Sequence, residues 1–593
     1  MKKIMMSGNE AIARGAYEAG CIVAAAYPGT PSTEILESMA TYKQDIYCQW
    51  ATNEKVAAEI AAGASIGGAR ALCAMKHVGV NVAADPLFSM GYTGVNGGFV
   101  IVSADDPGCH SSQNEQDNRL YAPHMKIGMM EPSDSEECRT FTAAAFELSE
   151  RFDIPMMIRM TTRICHSKSL VTLGERIGSP IKPYKRNPDK HTVLPATARR
   201  RHKIREELLL QMEEYANACP YNTIEIGTDQ SIGVITSGIS YQYAKEVFGE
   251  SVSYLKLGLT YPLPRKLISE FAEKFETLYV IEENDPYLEN AVRALGFSCI
   301  GKDRIPICGE LNAQVIRQAL FNTPDPDSYQ AEAEAPPRPP VLCAGCPHRG
   351  FFYAINRNLK DLVPVGDIGC YALGVNPPLN GYDYSICMGA GISSIIGFAK
   401  ALQSQDDTRK VLGMVGDSTF YHSGITSLID VIVSQANVIA CVLDNSITAM
   451  TGHQENPGTG KTVMGESAPV VDIVQVIRAL GVSEDRLRVV DPLDVEAMID
   501  AIRSGIEIEG PFVIVTKRPC VLIKEVARAN AGRRCVIDQD KCRGCRACMR
   551  IACPAISFSS NKASISDSAG CTGCELCMQL CKFDAISRME VQA

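Results

Sequence analysis

The sequence predicts a multidomain α/β protein built on doubly wound parallel sheets, with a small separate domain at its C-terminal end. Along most of the chain, apolar β-prone runs alternate with helical patterns, which is the order of a parallel sheet covered by helices. A proline-rich run at residues 324–340 interrupts this alternation, and eight of the 24 cysteines fall within residues 542–581. At about 150 residues per domain, the 593 residues indicate roughly four domains.

The composition is that of a soluble globular protein and excludes a largely disordered chain. Apolar residues make up 46% and charged residues 21% of the sequence, which is enough to bury several cores. The net charge of −10 excludes a generally basic surface, so we expect neither nucleic acid nor a membrane as the main partner. There is no apolar run long enough to cross a bilayer and no secretory signal pattern. We therefore expect a cytoplasmic protein with reduced thiols, some of which hold metal.

The first 180 residues are predicted to form one α/β domain. Strand patterns cover residues 21–27, 71–75 and 98–103. After the first of them, a Ser or Thr in the loop 28–34 can cap a helix that begins near Glu34. An Ala-rich helix is predicted at residues 53–69.

The next stretch, residues 181–225, differs in character. A basic run at 199–203 precedes an acidic amphipathic helix near 206–215. A charge run of this kind is typical of a solvated surface, so we expect a solvated connector. A smaller α/β domain with strands at 232–236 and 277–281 follows it.

The proline-rich run is a stiff linker that cannot be a core element. The predicted order along the chain is therefore a domain at 1–180, the connector at 181–225, a domain at 226–322, the linker at 323–340, a domain at 341–530 and a small domain at 531–593.

Two acidic loops follow neighbouring strands of the 341–530 domain. Asp417 comes after the strand pattern at 410–415, and Asn445 comes after that at 437–443. The 28 residues between Asp417 and Asn445 are about one strand–helix–strand repeat, so both loops reach the edge where open α/β sheets bind ligands. Carboxylate and amide oxygens suit octahedral Mg²⁺, with diphosphate oxygens in the remaining positions. A chance Gly-Asp turn followed by an Asn is the alternative.

This spacing resembles the thiamine diphosphate motif, in which Gly-Asp is followed one repeat later by an Asn-containing turn. The chain departs from the motif at Ser418, where Gly is usual, and at Asp444-Asn445, where Asn-Asn is usual. Glycines at 366, 369, 389 and 391 favour the interpretation because backbone must approach a diphosphate closely, although each alone could be a tight turn.

A thiamine site also needs a carboxylic acid that hydrogen-bonds the aminopyrimidine ring, and Glu54 is the candidate for that group. It opens the predicted helix at 53–69, soon after the loop 28–34. The alternative is that Glu54 is an ordinary solvated helix residue.

The tail cysteines form a duplicated array that follows the two-cluster ferredoxin pattern. The first repeat is Cys542-x2-Cys545-x2-Cys548-x4-Cys553-Pro554, and the second is Cys571-x2-Cys574-x2-Cys577-x3-Cys581. Tetrahedral zinc is the alternative. The last interval of the first repeat has four residues where three are usual, so one residue must bulge there. By the crossed ligation of such domains, we expect one 4Fe-4S cluster on Cys542, Cys545, Cys548 and Cys581, and a second on Cys553, Cys571, Cys574 and Cys577.

Cys343 and Cys346 form another Cys-x2-Cys pair. Because no second Cys or His pair lies at a suitable spacing from them, we do not predict a zinc site there.

Taken together, the chain resembles the α subunits of the indolepyruvate ferredoxin oxidoreductases, within the 2-oxoacid ferredoxin oxidoreductases. The resemblance extends from residues 8–15 through 27–35 and 75–86 to the box at 343–350 and the cysteine tail. It implies, in this order, a pyrimidine-binding domain, a transketolase-C-like domain, a diphosphate/Mg²⁺-binding domain and a two-cluster ferredoxin domain.

Carried over by position, the resemblance implies that Asp417, Asn445 and the carbonyl of Ile447 are Mg²⁺ ligands. It implies that Glu54 contacts the aminopyrimidine and that Thr30 and His77 face the reacting carbonyl. The residues implied to contact the cofactor are Cys346, Gly369, Cys370, Gly389, Gly416, Asp417, Ser418 and Asn445.

The arginine that pyruvate-specific relatives use against the substrate carboxylate has no evident counterpart in residues 102–108. Asp105 and Asp106 occur there instead. What recognises the substrate carboxylate is therefore left open.

The implied activity is CoA-dependent oxidative decarboxylation of aromatic 2-oxoacids to arylacetyl-CoA and CO₂. The implied cofactors are thiamine diphosphate, Mg²⁺ and two 4Fe-4S clusters that pass electrons to ferredoxin. A separate smaller β subunit is expected as partner, in a heterotetramer of two α and two β chains within an anaerobic cytoplasm.

Two other functions compete with this one. A non-oxidative thiamine decarboxylase or carboligase would use Glu54 and Asp417 but would not need eight clustered thiolates. An electron-transfer subunit would need the tail but not Glu54 or the loops of Asp417 and Asn445. The presence of both features favours the oxidoreductase.

Overall fold

The computed structural model of the chain describes residues 2–178, 181–324, 326, 335–336, 338–566 and 570–590. The chain forms two compact units, residues 1–334 with 463–465 and residues 335–462 with 466–593. Their boundary falls within the predicted linker at 323–340, much of which lies outside the described residues. Within the described ranges, none of the helices has the length and apolarity needed to cross a membrane.

Strands and helices alternate through most of the first unit. Its elements are β1 (Lys3–Ser7), α1 (Gly8–Glu18), β2 (Val23–Ala26), α2 (Thr33–Ala40), β3 (Tyr47–Trp50), α3 (Glu54–Ile66), β4 (Ala71–Lys76), α4 (His77–Thr93), β5 (Phe99–Asp105), α5 (Tyr121–Met125), β6 (Gly128–Met130), α6 (Ser135–Phe152), β7 (Met156–Thr161), α7 (Thr162–His166), β8 (Lys168–Thr172), α8 (Pro188–His191), α9 (Pro195–Ala216), β9 (Asn222–Glu225), β10 (Ile232–Ser237), α10 (Ile239–Phe248), β11 (Ser253–Leu257), β12 (Leu259–Tyr261), α11 (Arg265–Ala272), β13 (Thr277–Ile281), α12 (Tyr287–Ala294) and α13 (Ala313–Phe321).

A seven-stranded sheet with the order β12-β6-β7-β5-β4-β2-β3 is the centre of this unit. All neighbours in it are parallel except β12, which pairs antiparallel with β6. The predicted α/β class with parallel sheets is confirmed, and β4 and β5 lie within two residues of their predicted bounds. Strand β12 comes from the predicted 226–322 domain, so that region also completes the edge of the first sheet. A second, four-stranded sheet has the order β13-β10-β11-β9 and contains the other strands of the predicted 226–322 domain.

The predicted capping of α2 is wrong. Ser32 precedes the helix in a right-handed helical conformation, and its side chain makes no capping hydrogen bond. Its hydroxyl donates instead to the carbonyl of Gly29 at 2.8 Å, while the hydroxyl of Thr33 accepts from the Gly29 N–H at 3.1 Å. Both hydroxyls therefore hold the loop before the helix rather than the first turn of the helix.

The predicted solvated connector is exposed along most of its basic run, as expected, but the prediction is wrong for Arg201, which is buried. The basic and acidic runs form the single helix α9, which buries the face Arg201, Arg205, Leu209, Met212 and Ala216. Arg205 donates to the carbonyls of Gly91 and Asp153, at 2.6 and 2.5 Å. Arg201 donates to the carbonyl of Tyr92 at 3.0 Å. These guanidinium groups satisfy carbonyls at the C-terminal ends of α4 and α6, which no intrahelical N–H can reach.

Buried charges join the seven-stranded sheet and the four-stranded sheet of the first unit. Arg119 binds Asp117 at 2.6 Å and Glu282, which follows β13, at 2.7 Å. Arg159 of β7 binds Asp105 at 2.8 Å and Glu131 at 3.2 Å. All six side chains are at most 5% exposed, so this network lies in the interior.

Helices α3 and α4 pack closely where Glu54 begins α3. Glu54 is 5% exposed, and a Cβ added at Gly79 of α4 would lie 2.7 Å from both its Cγ and its Oε1. Glycine at position 79 therefore leaves the space in which this carboxylate lies.

The second unit contains a five-stranded sheet and a small cysteine-rich region. Its elements are α14 (His348–Asn356), β14 (Leu362–Val365), α15 (Ala390–Gln403), β15 (Lys410–Gly416), α16 (Asp417–Thr419), α17 (Ile425–Val433), β16 (Val438–Asp444), α18 (Ile473–Ala479), β17 (Leu487–Val490), α19 (Val495–Glu507), β18 (Phe512–Lys517), α20 (Lys524–Ala529), β19 (Arg533–Ile537), β20 (Ile556–Ser559), β21 (Lys562–Ile565), α21 (Leu576–Gln579) and β22 (Ile586–Glu590).

The sheet has the order β14-β15-β16-β18-β17, and all its pairs are parallel. Gly416 at the end of β15 pairs with Leu443 of β16, so the loops of Asp417 and Asn445 leave the sheet at the same level. The region that follows contains two antiparallel pairs, β19 with β22 and β20 with β21.

Replacement of Glu283 by Gln is expected to change how stability depends on pH. Burial raises the pKa of Glu283 to about 7 against an ordinary value of 4.5. Its stabilising contribution is therefore complete below pH 4.5 and is lost as the pH rises through 7. Glutamine is neutral at every pH. The free energy of unfolding of Glu283→Gln, measured with urea, should therefore exceed that of the parent by up to roughly 3 kcal/mol at pH 8 and should be nearly the same at pH 5. The exposed Glu246→Gln serves as control, and an equal effect of Glu283→Gln at both pH values would contradict this.

Replacement of Gly79 by Ala tests how tightly Glu54 is held. The added methyl group meets a buried carboxylate, so urea unfolding should show a loss of about 1–3 kcal/mol. Gly63→Ala in α3 is the matched control, since no atom lies within 4 Å of its added Cβ. That change should stabilise the helix by about 0.5–1 kcal/mol. A gain of stability in both variants would show that Glu54 does not lie against position 79.

Candidate functional site

The structure brings Asp417 and Asn445 together at the carboxyl end of the second unit's sheet. The N–H of Ile447 donates to Asp417 Oδ2 at 3.1 Å and to Asn445 Oδ1 at 3.4 Å. Asn456, which sequence reasoning missed, donates to Asp417 Oδ2 at 3.3 Å. The hydroxyl of Thr448 reaches that of Ser418 at 3.0 Å and ties the two loops together.

The chemistry of this group suits a cation. Asp417 is 4% exposed, and the hydrogen bonds that its carboxylate accepts come from neutral amides. Burial, together with the charge of Asp444, raises the pKa of Asp417 to about 7. A divalent ion at this place would reverse that shift and supply the missing positive charge. The residues present therefore fit Mg²⁺ bound through oxygen ligands.

Asp367 is a second buried carboxylate at this edge, and sequence reasoning did not single it out. Its Oδ2 accepts from the N–H of Gly391 at 2.7 Å and so fixes the start of α15. Burial raises the pKa of Asp367 to about 7. The Gly-Asp pair at the end of β14, which repeats the Gly416-Asp417 pattern, is the signal that could have found it.

The structure explains the nearby glycines by packing. An added Cβ at Gly391 would collide with the carbonyl of Met414, and one at Gly389 would collide with the hydroxyl of Ser423. Cβ atoms at Gly369 and Gly416 would meet the ring of Tyr371. Neighbouring protein atoms therefore already require glycine at these positions, whether or not a diphosphate approaches them. Gly389 also has a φ of 89°, a left-handed conformation that favours glycine.

His348 lies beside these loops with an unsatisfied nitrogen. It is 3% exposed, its ring stands edge-on to Tyr371 at 5.8 Å, and burial lowers its pKa to about 4. Within the part of the chain that the structure describes, its Nε2 has no hydrogen-bond partner. A buried orphan acceptor or donor of this kind is expected where a ligand completes the site.

Four thiols gather next to this edge, and sequence reasoning missed their association. The thiol of Cys370 interacts electrostatically with those of Cys520 and Cys343, and that of Cys346 interacts with Cys370 and Cys343. The N–H of Cys520 donates to the carbonyl of Asn445 at 2.9 Å. These interactions do not test the prediction that Cys343 and Cys346 hold no zinc, but they show that the pair has two further thiols near it. The other two thiols come from positions far along the chain, which no local spacing reveals.

In the first unit, the candidates Glu54, Thr30 and His77 all follow parallel strands at one edge of the seven-stranded sheet. A loop at 106–117 covers this edge. Ser111 donates to the carbonyl of Thr30 at 3.3 Å and accepts from Lys76 Nζ at 2.6 Å. His77 is fully buried, and its Nε2 lies 3.3 Å from both oxygens of Asn114.

The cations at this edge differ in whether a carboxylate neutralises them. Arg119 and Arg159 are paired with carboxylates in the network between the two sheets. Lys76 instead donates to a backbone carbonyl and interacts with Asp106 only electrostatically, and burial lowers its pKa to about 8. Sequence reasoning missed Lys76 because a single lysine after a strand carries no motif.

Seven of the eight tail cysteines fall into two sets. One largely apolar cavity, part of which is open to solvent, is lined by Cys542, Cys545, Cys548 and Cys581. In the other set, Cys574 interacts electrostatically with Cys553 and Cys571. Among the residues that the structure describes, no three His, Cys, Asp or Glu side chains already converge as a metal site.

Backbone N–H groups point at several of these sulfurs. Those of Gly544 and Ala563 lower the pKa of Cys542. The N–H of Cys535 donates to Cys571 Sγ at 3.3 Å, and that of Ala585 donates to Cys581 Sγ at 3.4 Å. Such donors stabilise thiolates, which are the form of cysteine that binds metal.

Two family models match the chain. Residues 14–223 match the model "Pyruvate flavodoxin/ferredoxin oxidoreductase, thiamine diP-bdg", and residues 367–516 match "Thiamine pyrophosphate enzyme, C-terminal TPP binding domain". The second match begins at Asp367 and contains Asp417 and Asn445.

Curated relatives match over nearly the whole chain. An indolepyruvate oxidoreductase subunit IorA from Archaeoglobus fulgidus is 42% identical over 96% of this chain and 94% of the relative. One from Thermococcus kodakarensis is 39% identical over 99% of this chain and 97% of the relative. A 2-oxoglutarate synthase subunit KorA from Methanothermobacter thermautotrophicus is 29% identical over 30% of this chain and 49% of the relative.

With thiamine-binding models matched in both units and near-complete alignment to these subunits, the chain belongs to the indolepyruvate oxidoreductase IorA family, thiamine diphosphate-dependent oxidoreductases of the 2-oxoacid ferredoxin oxidoreductase class.

Proposed function

We propose that this chain is the catalytic subunit of an arylpyruvate ferredoxin oxidoreductase with indolepyruvate among its substrates. The reaction is CoA-dependent oxidative decarboxylation, which gives an arylacetyl-CoA and CO₂ and delivers electrons to ferredoxin. The observation that carries the proposal is the presence in one chain of the Asp417–Asn445 group and of a cysteine tail in which seven of the eight thiols fall into two sets. The names of the relatives support the substrate class.

Thiamine diphosphate, when bound, supplies an electron sink that lets CO₂ leave a 2-oxoacid. In the proposal Glu54 hydrogen-bonds the aminopyrimidine and governs its protonation. The burial of Glu54 in the space left by Gly79 supports this role because a hydrogen bond is stronger in a desolvated interior than in water. Thr30 and His77 remain proposed as residues near the reacting carbonyl.

The proposed ligands of Mg²⁺ are Asp417, Asn445 and the carbonyl of Ile447. The residues proposed to line the diphosphate are Ser418, Gly369, Gly389 and Gly416. The buried carboxylate of Asp417, whose hydrogen-bond donors among the described residues are neutral amides, supports the first assignment. The unsatisfied Nε2 of His348 adds a polar group that could hydrogen-bond a phosphate oxygen.

The two sets of tail cysteines are proposed to hold two 4Fe-4S clusters by crossed ligation. Electrostatic contact of Cys548 with Cys545, Cys542 and Cys581 supports the first set, since the last of these comes from the other repeat. The group of Cys343, Cys346, Cys370 and Cys520 offers the same four-thiol chemistry and is a further candidate metal site.

The partners proposed are a smaller β subunit, in a heterotetramer of two α and two β chains, and a soluble ferredoxin. The naming of the relatives as subunits supports further chains in the assembly. An anaerobic cytoplasm is the compartment that such exposed clusters would require.

The function is tested by anaerobic turnover of the chain with its β subunit. Methyl viologen should be reduced when indolepyruvate and CoA are both present, whereas CO₂ release without dye reduction would favour a non-oxidative decarboxylase. Glu54→Gln should lower kcat by about 10²- to 10⁴-fold, because one positioned acid–base group contributes that much. Diphosphate binding and cluster absorbance should be unchanged in it. The exposed Glu59→Gln on the same helix is the control, and near-normal turnover of Glu54→Gln would remove Glu54 from the mechanism.

The clusters are tested by iron and sulfide analysis of the purified chain. Cys577→Ser should lose the iron of one cluster and slow the transfer of electrons to ferredoxin, because serine oxygen is a poor substitute for a soft thiolate ligand. The exposed Cys308→Ser should retain full iron content. Zinc in place of iron would reject the ferredoxin assignment, and iron equivalent to a third cluster would place metal on the Cys343 group.

A further inference from the structure

Arg349 is the second residue of α14 and one of the largest fully buried side chains, at 1% exposure. Its Nε donates to the carbonyl of Cys343 at 2.9 Å, and its Nη2 donates to that of Leu342. Its Nη1 donates in the other direction, to the carbonyls of Ile551 at 2.8 Å and Ala552 at 2.5 Å. One guanidinium group therefore joins the cysteine box at 343–350 to the cysteine tail.

The carbonyls that Arg349 reaches in the tail lie where the first cysteine repeat has its extra residue. Ala552 has a φ of 53°, a left-handed conformation that is uncommon for alanine. The additional residue between Cys548 and Cys553 therefore bulges, and the bulge presents two successive carbonyls to the same arginine. An interval of three residues would leave one residue fewer to form this bulge.

Close backbone packing continues the contact on either side of Arg349. An added Cβ at Gly345 would collide with the hydroxyl of Thr572, the residue after Cys571. One at Gly350 would collide with the carbonyl of Pro492 and lie 3.2 Å from Leu576, the residue before Cys577. The part of the tail that meets the box thus carries Cys553, Cys571, Cys574 and Cys577, the proposed ligands of the second cluster.

The charge of Arg349 lies among thiols from both sides. Its electrostatic partners are Cys553 and Cys574 of the second set and Cys346 and Cys343 of the box. The acceptors of its hydrogen bonds are neutral carbonyls, so they satisfy its donors without cancelling its charge. In a poorly solvated interior, that charge acts on nearby thiolates with little screening.

We propose that Arg349 and the bulge at Ala552 form a latch that fixes the second cluster of the tail against the cysteine box and places a positive charge between the two thiol groups. The proposal rests on the proposed function, because the tail must hold clusters. It makes the second cluster the one nearest the thiamine-binding domain. The first cluster, in its partly open cavity, is then the one from which ferredoxin takes electrons.

The latch has an electrostatic consequence for electron flow. Oxidation of the 2-oxoacid releases two electrons, which clusters held by these cysteines would accept one at a time, and the first set of cysteines would hold the cluster that passes them on to ferredoxin. Reduction adds one negative charge to a cluster that already carries four thiolates. The fixed charge of Arg349 favours that reduced form, and the hydrogen bonds of Arg349 hold the cluster at a constant separation from the box.

The experiment compares four variants of the full chain assembled with its β subunit. Arg349→Met removes the charge and the four hydrogen bonds, Arg349→Lys keeps the charge, and Ala552→Gly keeps the carbonyl while favouring the left-handed conformation. Arg357→Met changes an exposed arginine at the end of the same helix and is the control. The measurements are hydrogen exchange of the box and tail amides, and the midpoint potential of each cluster followed by electron paramagnetic resonance.

Arg349→Met should increase exchange on both sides of the latch, in residues 342–350 and 548–556. It should also shift the reduction equilibrium of one cluster about tenfold toward the oxidised form, which corresponds to 59 mV for a one-electron couple. Arg349→Lys should increase exchange but move the midpoint potential less. Ala552→Gly and Arg357→Met should match the parent in both measurements.

An unchanged midpoint potential together with unchanged exchange in Arg349→Met would overturn the proposal. Should that variant fail to fold, deletion of Ala552 restores the usual spacing of three and tests the same contact. It should retain iron while exposing the box amides, and parent-like exchange in it would also overturn the proposal. Absence of iron and sulfide from the parent chain would instead reject the proposed function, which separates the two failures.

Discussion

A guanidinium group buried away from water must have its donors satisfied by protein, and this requirement positions the loops around both candidate sites. In the first unit Arg119 is 1% exposed and donates to Asp117, to Glu282 and to the carbonyls of Glu283 and Asp285. These contacts anchor the base of the loop that covers His77 and Lys76. The neighbouring Asn118 donates to the carbonyl of His77 at 3.0 Å. Removal of one partner from such a buried network lowers the free energy of unfolding by about 3–5 kcal/mol. The position of the loop at 106–117 therefore depends on the four-stranded sheet that supplies Glu282.

The network contains more carboxylates than cations, and the pKa shifts show how the excess is accommodated. Arg119 and Arg159 face Asp105, Asp117, Glu131, Glu282 and Glu283. Asp117, held by Arg119 through both of its oxygens, has a lowered pKa despite complete burial. Burial raises the pKa of Asp105 and Glu283. Pairing with Arg119 therefore shifts Asp117 toward its ionised form, whereas burial shifts Asp105 and Glu283 toward their protonated forms.

The sequence predicted the features that depend on local pattern. The strand ends at Asp417 and Asn445, the start of the helix at Glu54 and the α/β class follow from hydrophobic periodicity and turn residues, and the structure has each of them. It did not predict which charged side chains would be buried. Arg205 belongs to a basic run that resembles a solvated surface, and only the open carbonyls of α4 and α6 explain its burial. Nor does spacing reveal that Cys370 and Cys520 meet, because a contact across so many residues depends on how the sheet is assembled.

Departures from a familiar pattern carried more information than the matches to it. Taken alone, the extra residue before Cys553 indicates only a bulge in a ferredoxin-like repeat. In the structure, this bulge directs the carbonyls of Ile551 and Ala552 toward the buried guanidinium group of Arg349. The contact keeps Ala552 in its strained left-handed conformation. A strained backbone persists only where surrounding contacts determine it, and such places tend to be functional. Gly345 and Gly350 contribute to the same contact, because their missing side chains let the tail approach the box at backbone distance. An insertion in the tail and, far from it along the chain, two glycines and an arginine of the box therefore meet one geometric requirement, close and fixed contact between the thiamine-binding domain and the second set of tail cysteines.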